Sequence, residues 1–224
     1  SAVKAAAEDL RKQLIAAAAE ALNTSTITLA DGQAIAGDKR LSYGKVVSAF
    51  FGMPGGELIG RGYMRPDGAL GKTFPLFWET GMGAAQIAVD VETGAIQLDS
   101  YVTVADVGKA INPQQAEGQD EGAAVQGLGN TLFESLEYDN GQPLNANLVD
   151  YRVPRFNDLP EHFASALIEN QDGPGPYGAK GMGESGVVCV APALGNALFR
   201  ATGVRIHDLP LTPERVWRAL KRGK

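Results

Sequence analysis

The feature that most constrains the fold is a glycine-dense stretch, residues 178–186, in which four of nine positions are glycine. Glycine has no Cβ and adopts positive φ at little cost, so the backbone of such a stretch can approach a bulky group closely. Turn-forming residues 170–177 precede it, and an almost wholly apolar segment, residues 187–199, follows it. Its only carboxylate, Glu184, is a candidate proton-transferring group at the floor of a pocket. Alternatively, Glu184 complements the dipole of a helix that begins here.

The same stretch contains a glycine spacing typical of dinucleotide-binding sites. Gly181, Gly183 and Gly186 form G-x-G-x-x-G, and Asp208 follows at roughly the distance expected of a ribose-binding acid. That motif should directly follow a buried strand within a βαβ unit. Because a loop rich in glycine and proline precedes it here, a dinucleotide-binding oxidoreductase is the less favoured alternative.

The charge and composition of the chain favour a soluble globular protein over a nucleic-acid-binding or membrane-spanning one. The 224 residues carry a net charge of -6, with 44% hydrophobic and 21% charged residues, which is typical of a soluble globular protein. The acidic balance disfavours nucleic acid as a partner, and no apolar run approaches the length of a membrane span. The first residues lack the layout of a signal peptide, which predicts a cytoplasmic location.

The single cysteine and the two histidines offer little metal chemistry. Cys189 lies among apolar residues, which favours a core position over a reactive thiol. His162 and His207 are far apart in the sequence and lack the spacing of metal ligands. The sequence therefore predicts neither a disulfide framework nor a metal site made of protein side chains.

The N-terminal part of the chain begins with a helical pattern. Residues 1–22 have the apolar spacing of an amphipathic helix, and the absence of an N-terminal cap favours a chain cut from a larger fold. The other predicted elements of this part are a hairpin around Asp31-Gly32 with strands at 26–29 and 33–35, a helix within 41–50 capped by Ser42, and an irregular segment from 52 to 71.

The rest of the chain alternates strands and helices. Residues 85–91 and 96–104 alternate in polarity around a Thr93-Gly94 turn, which predicts an antiparallel hairpin. The remaining predicted elements are a helix from Gln115 to Leu136, a hairpin turn at 138–142, strands at 151–154 and 163–168, and a final helix capped by Thr212 with Pro213 at its first position. The pattern predicts an α+β fold with mixed or antiparallel sheets, packed helices and a sub-boundary near 72–84.

Two sets of residues are candidates for ligand contacts. The helix at 115–136 contains four glycines, each costing about 1 kcal/mol relative to alanine, which implies close packing against a neighbour or a ligand. Gln119 and Gln126 share one face of this helix, and their amides suit either a polar cofactor or solvent. Phe77 and Trp78 lie next to a turn, where they form either an edge of the core or a pocket wall for a flat ligand.

Four blocks of the sequence also carry a resemblance to a known family. The blocks are Asp106-Val107-Gly108 with Ile111-Asn112-Pro113, Gly118-Gln119-x-x-Gly122-x-x-x-Gln126-Gly127-x-Gly129, Gly178-Ala179-Lys180-Gly181-Met182-Gly183-Glu184, and the ending at 201–216. Read together, they resemble the C-terminal portion of the molybdopterin-binding subunit in the xanthine oxidase family, the molybdenum hydroxylases. The resemblance implies the α+β architecture of that molybdopterin-binding region.

The resemblance also implies roles for individual residues. Glu184 matches the catalytic glutamate of the family, Gly183 the glycine beside it at the molybdenum, and Gln119 a glutamine that hydrogen-bonds the pterin. Gly181 and Gly118 are the other residues of these motifs expected at the cofactor. The implied enzyme hydroxylates an sp² carbon of an aldehyde or N-heteroaromatic with oxygen from water, and Glu184 is its general base. In a dry pocket beside an anionic cofactor, the pKa of this carboxyl should be raised.

Cofactors and partners follow from the same resemblance. It implies molybdopterin, in the cytosine dinucleotide form, together with iron-sulfur clusters and FAD on partner subunits of a hetero-oligomer. The chain resembles only one portion of the family's subunit, and the upstream cofactor loops have no counterpart in it. Alone it should hold half a site and be inactive, either as one subunit of a split enzyme or as an excised domain.

One departure from the family pattern bears on the substrate. Ser185-Gly186 stands where several members carry two prolines, so the substrate subgroup is left open. A non-catalytic interaction domain that keeps the fold and the glycine stretch is the alternative from a different functional class.

Overall fold

The computed structural model describes residues 1–64 and 77–222. The chain divides into two compact units, Ser1–Phe74 and Pro75–Lys224. Residues 65–71 of the predicted irregular segment and residues 72–76 of the predicted sub-boundary lie outside the described residues. In the described part of the chain, no helix is both long enough and apolar enough to cross a membrane.

The first unit packs two helices against a small sheet. Helix α1 spans Ala2–Leu22, and the antiparallel strands β1 (Thr28–Ala30), β2 (Gln33–Ala36) and β3 (Lys39–Ser42) follow in that order before helix α2 (Tyr43–Phe51). Its core consists of fully buried Ala17, Ala18, Ala34 and Val46. The predicted first helix and hairpin are confirmed.

Local signals set the start and end of α2. The Ser42 hydroxyl accepts a hydrogen bond from the backbone N–H of Lys45 at 3.4 Å, which confirms the predicted cap. Gly52 ends the helix at φ 69°, a left-handed conformation that glycine adopts without strain. Strand β3 was not predicted, because Lys39 and Arg40 are charged and exposed and only Leu41 of this strand packs onto the core.

The second unit is built on a mixed three-stranded sheet. Strands β4 (Gly81–Val89) and β5 (Ile96–Asp106) form the predicted antiparallel hairpin, which is confirmed. A short hairpin follows, with strands β6 (Tyr138–Asp139) and β7 (Gln142–Pro143) at the predicted turn. Strand β8 (His162–Ile168) then pairs parallel to β5, with Asp106 opposite Ile168. The carboxyl ends of β5 and β8 therefore meet at one edge of the sheet.

Three helices complete this unit. Helix α3 spans Pro113–Leu132, α4 spans Gly186–Thr202 and α5 spans Pro213–Arg222. Their packing buries a core of Tyr101, Ala124, Leu128, Val190, Leu194, Leu198, Leu211 and Val216. The Thr212 hydroxyl accepts a hydrogen bond from the N–H of Arg215 at 3.3 Å, as the predicted cap requires. The α+β class with mixed sheets is confirmed.

One predicted strand is wrong. Residues 151–154 contain no strand and lead instead into a 3₁₀ turn, Phe156–Asp158. Pro154 has no N–H to give to a sheet ladder, and Asp158 accepts hydrogen bonds from the side chains of Arg152 and Arg155. These interactions hold the segment in a turn.

Glycine allows α4 to approach both of its neighbours closely. A Cβ on Gly83 of β4 would lie 2.5 Å from the Tyr101 hydroxyl and 2.9 Å from the Cys189 carbonyl of α4. A Cβ on Gly127 of α3 would lie 2.5 Å from Val190, also on α4. The close packing predicted for glycines of α3 is thus present at Gly127, whereas a Cβ on Gly118 would meet no atom within 4 Å.

Candidate functional site

The glycine-dense stretch lies against the end of β5. The N–H of Lys180 donates to the carbonyl of Val107 at 3.0 Å, and the N–H of Gln171 donates to the carbonyl of Gly108 at 3.0 Å. Gly108 has φ 66°, and a Cβ there would lie 2.2 Å from the carbonyl oxygen of Gly178. Only glycine permits this approach, so two of the blocks noted in the sequence are in direct contact.

A buried ion-pair cluster reinforces that contact. The Lys180 side chain is 4% exposed, and its Nζ lies 2.7 Å from Asp106 Oδ2 and 2.9 Å from Asp172 Oδ1. Asp106 also accepts hydrogen bonds from the side-chain amide of Asn170 at 2.9 Å and the N–H of Gly108 at 3.1 Å. The hydrogen bond from Lys180 lowers the pKa of Asp106, and the same bond raises the pKa of Lys180. No pattern in the sequence predicts this cluster.

Glu184 follows this stretch at the entrance to α4. Its side chain is exposed in this chain, and its carbonyl accepts a hydrogen bond from the N–H of Val187 at 3.1 Å. Ser185 is the N-cap residue of the 17-residue helix α4. The location is the one that the helix-dipole interpretation predicts, and it also leaves the carboxylate at a surface that a cofactor or substrate can reach.

Gln119 and Gly183, predicted at the cofactor, are in contact. The Gln119 side-chain amide donates to the carbonyl of Gly183 at 2.8 Å, linking α3 to the residue before Glu184. A Cβ on Gly118, Gly122 or Gly183 would meet no atom within 4 Å, so there is open space over the backbone beside Gln119. The second N–H and the carbonyl of the amide can interact with a polar ligand on this surface.

The segment before β4 lies against the same stretch. A Cβ on Gly181 would lie 3.1 Å from the Phe77 ring, and Phe77 is half-buried. Trp78 is 75% exposed. The Ser185 hydroxyl donates to the carboxylate of Glu79 at 2.5 Å. The structure therefore places Phe77 against the stretch, and it adds Glu79, which no sequence pattern indicated; the role of Phe77 and Trp78 as pocket residues stays a prediction.

A second carboxylate is buried beneath the entrance to α4. Asp120 is 1% exposed and accepts hydrogen bonds from the hydroxyls of Thr103 at 3.3 Å and Ser165 at 2.8 Å. A Cβ on Gly186 would lie 2.9 Å from an Asp120 carboxylate oxygen. Asp120 thus connects β5, β8 and the start of α4, directly beside Gln119 in the sequence. In the sequence Asp120 resembles any acidic residue on a helix surface, so no pattern predicts its burial.

Cys189 belongs to the packing of α4 on the sheet. Burial raises the pKa of its thiol, with a further contribution from the negative charge of Asp120. A raised pKa reduces the thiolate fraction at neutral pH, so the residue has the character of a packing residue and not of a nucleophile. Within residues 1–64 and 77–222, no group of three or more His, Cys, Asp or Glu side chains is arranged to hold a metal ion.

The dinucleotide alternative lacks its structural context. The element before Gly181 is a 3₁₀ turn, Pro176–Gly178, and not a buried strand that leads directly into the glycines. Asp208 is exposed in the segment between α4 and α5. The strand–turn–helix arrangement that the dinucleotide motif requires is therefore missing at these glycines.

The fold and the site together define a class of protein. This is an α+β domain in which a glycine-rich backbone, a side-chain amide and a carboxylate share one surface at the end of a mixed sheet, an arrangement suited to a large polar ligand. A sequence profile described as the molybdopterin cofactor-binding domain matches residues 1–160. The chain belongs to the xanthine oxidase family of molybdenum oxidoreductases, as part of its molybdopterin-binding region, which confirms the resemblance carried by its motifs.

Individual relatives extend the match beyond residue 160. The chain is 34% identical to the Escherichia coli K12 protein named "Probable hypoxanthine oxidase XdhD", over 99% of this chain and 23% of that protein. It is 35% identical to the nicotine 6-hydroxylase large subunit of Paenarthrobacter nicotinovorans, over 98% of this chain and 28% of that protein. The chain therefore spans roughly a quarter of the length of these relatives.

A solved structure agrees with the fold. Quinoline 2-oxidoreductase from Pseudomonas putida 86 superposes with a TM-score of 0.72 at 28% identity, over 96% of this chain and 28% of that one. The superposition thus extends over almost the whole chain.

Proposed function

We propose that this chain supplies the general base and part of the cofactor-binding surface of a molybdenum hydroxylase that acts on an aldehyde or an N-heteroaromatic. The observation that carries the proposal is the 2.8 Å hydrogen bond from the Gln119 amide to the Gly183 carbonyl. It joins two motifs far apart in the sequence and does so at the residue beside Glu184. In this proposal Glu184 is the base, and Gln119, Gly183, Gly181 and Gly118 contact the cofactor.

The residues at this surface have the chemistry that molybdopterin requires. Gly118, Gly122 and Gly183 leave room for a ring system to lie against the backbone, since a Cβ on any of them would meet no atom within 4 Å. Gln119 offers a neutral amide to a ligand that is both polar and anionic. The N-terminus of α4 adds the positive end of a helix dipole on the same side of the unit. These features support the fit.

Glu184 is suited to accept a proton at this surface. When bound, the cofactor supplies a two-electron redox centre and activates oxygen derived from water. In that reaction Glu184 would accept a proton at this surface as the general base. The hydrogen bond from Gln119 holds the peptide group that precedes Glu184, and the Ser185–Glu79 hydrogen bond holds the side chain of the residue that follows it.

The substrate surface and the partners are further parts of the proposal. Phe77, which packs against Gly181, is the better supported pocket residue, and Trp78 is proposed as its neighbour at the substrate. The chain's relatives are several times longer, which supports a requirement for the remaining part of a molybdenum subunit. We assign the pterin to the cytosine dinucleotide form, with iron-sulfur clusters and FAD on partner subunits that carry electrons away.

Native mass spectrometry of the complex, with molybdenum and pterin measured in the same sample, tests the proposal. We expect the chain in a larger assembly, or within a longer polypeptide, that holds stoichiometric molybdenum and pterin. A complete assembly without metal or pterin would contradict the proposal and favour a non-catalytic interaction domain. Titration with nicotinamide dinucleotides tests the remaining alternative, and we expect no binding to this chain.

A further inference from the structure

A second feature of the site is the burial of Lys180, four residues before Glu184. Its side chain is 4% exposed, and its ammonium contacts Asp106 at 2.7 Å and Asp172 at 2.9 Å. The side chain of Asp106 is itself only 16% exposed, whereas that of Asp172 is 60% exposed. Asp106 ends strand β5, so the ammonium joins the glycine-dense stretch to the sheet.

The burial makes this connection hard to break. A buried ammonium is stable only while it is paired and hydrogen-bonded, because solvation cannot replace its partners inside the protein. The backbone of Lys180 is fixed to the same strand end through its N–H, which donates to the Val107 carbonyl at 3.0 Å. Lys180 is therefore held to β5 through both its backbone and its side chain.

Between Lys180 and Glu184 no ion pair holds the stretch in the described structure, and the Gly183 carbonyl accepts the hydrogen bond from the Gln119 amide. Gly181 and Gly183 have no side chains, and the intervening residue, Met182, packs beside the small cluster of Ala105, Val107 and Ala110. A glycine-rich segment has many accessible conformations unless its ends are fixed. Lys180 fixes the upstream end, and the Ser185–Glu79 hydrogen bond together with helix α4 fixes the downstream end.

We propose that Lys180, through its ion pairs with Asp106 and Asp172, is a positioning residue that sets the location of Glu184. The inference rests on the proposed role of Glu184 as the base. Lys180 itself does not touch the reacting atoms, because its ammonium is directed at Asp106 and Asp172. A displacement of a catalytic group by about 1 Å can lower turnover by about 100-fold, so a loosened stretch should affect kcat more than KM.

The test uses Lys180→Met in the complete enzyme, with Lys109→Met as the matched control. Lys109 pairs with Glu169 at the same end of the sheet, but the two side chains are 39% and 31% exposed, and in the described structure neither forms a hydrogen bond or ion pair with residues 178–186. Hydrogen exchange of the peptide covering 178–186 gives a readout that is independent of turnover. We expect Lys180→Met to speed exchange there by at least ~10-fold and to lower kcat by ~10- to 100-fold with KM little changed, whereas the control changes neither.

Two further variants control for incomplete folding of Lys180→Met and for its loss of positive charge. Asp172→Asn leaves the buried Asp106 pair intact at a 60% exposed position, so it should fold and show a smaller change in the same direction. Lys180→Arg restores the positive charge and should recover part of kcat. If exchange of 178–186 is unchanged in both Lys180→Met and Asp172→Asn, or if Lys109→Met has an equal effect, the positioning role is wrong.

The outcomes also separate this inference from the proposed function. Faster exchange without any loss of kcat in Lys180→Met, alongside a large loss in Glu184→Gln, would overturn the positioning role and leave the base assignment intact. Near-normal turnover in Glu184→Gln would overturn the base assignment itself.

Discussion

The Tyr101 hydroxyl gives the sharpest test of the packing between α4 and the sheet. Tyr101 is fully buried, and its hydroxyl has no hydrogen-bond partner among the described residues. A buried hydroxyl without a partner costs about 1–3 kcal/mol, whereas a satisfied one contributes about 0.5–1.5 kcal/mol. Tyr101→Phe should therefore leave the free energy of unfolding unchanged or raise it by about 1 kcal/mol, the opposite of an ordinary buried tyrosine.

Gly83 provides the second arm of a double-mutant cycle. Its Cβ would lie 2.5 Å from the Tyr101 hydroxyl and 2.9 Å from the Cys189 carbonyl, so Gly83→Ala should cost about 1–3 kcal/mol through overpacking. In the Tyr101→Phe background the 2.5 Å contact is gone and the contact with the Cys189 carbonyl remains. The cost of Gly83→Ala should then fall by at least about 0.5 kcal/mol.

Tryptophan fluorescence during urea unfolding measures these changes in the free energy of unfolding of the second unit, Pro75–Lys224. The chain has 2 tryptophans, Trp78 and Trp217, and both belong to the unit Pro75–Lys224. The signal therefore comes from the unit that contains both substituted residues. A loss of more than about 1 kcal/mol in Tyr101→Phe would show that the hydroxyl is hydrogen-bonded. Additive effects of the two substitutions would refute the close contact.

Three further predictions concern the site. Glu184→Gln should lower turnover of the complete enzyme at least ~100-fold while molybdenum and pterin contents stay normal, and near-normal turnover would contradict its role as the base. Gly118→Ala in α3 and the control Gly195→Ala in α4 should each stabilise the chain by about 0.4–1 kcal/mol. Only Gly118→Ala should lower the molybdenum content of the complete enzyme. Equal molybdenum contents in the two variants would argue against a cofactor at Gly118. The pKa of Asp106 is lower in the folded chain than the value of about 3.9 expected in the unfolded chain. The ionised carboxylate therefore contributes its full stabilisation above the unfolded-state pKa, and this stabilisation is lost as pH falls through the folded-state pKa. Below about pH 4 the urea midpoint should therefore fall less steeply in Lys180→Met than in the unsubstituted protein. Parallel pH profiles of the urea midpoint in these two proteins would show that the Lys180–Asp106 pair is not the cause of the fall.

The elements that could be predicted are those specified by local sequence. The apolar spacing of α1, the alternation of β4 and β5, and the capping residues Ser42 and Thr212 each act within a few residues. Residues 151–154 were misassigned because the Asp158 contacts that hold them in a turn are formed by charged side chains, which carry no periodic signal.

The site could be predicted only in part, for a related reason. Its residues were found through motifs that resemble a family, but their supporting contacts are long-range. Lys180 and Asp106 are 74 positions apart, and Ser185 and Glu79 are 106 positions apart. In the sequence each of these residues resembles an ordinary polar surface residue. The meeting of Asp106 with Lys180 depends on the parallel pairing of β5 with β8, which no local pattern indicates.

That parallel pairing has a consequence for how the chain can change in evolution. The motif at the end of β5 and the stretch after β8 meet because two strand ends share one edge of the sheet. The chain between α3 and β8, which includes the β6–β7 hairpin, only has to return to the start of β8. Residues can be inserted or deleted there without moving Asp106 relative to Lys180. We therefore expect length differences among relatives to accumulate in the segment between α3 and β8, while the geometry around Glu184 stays constant.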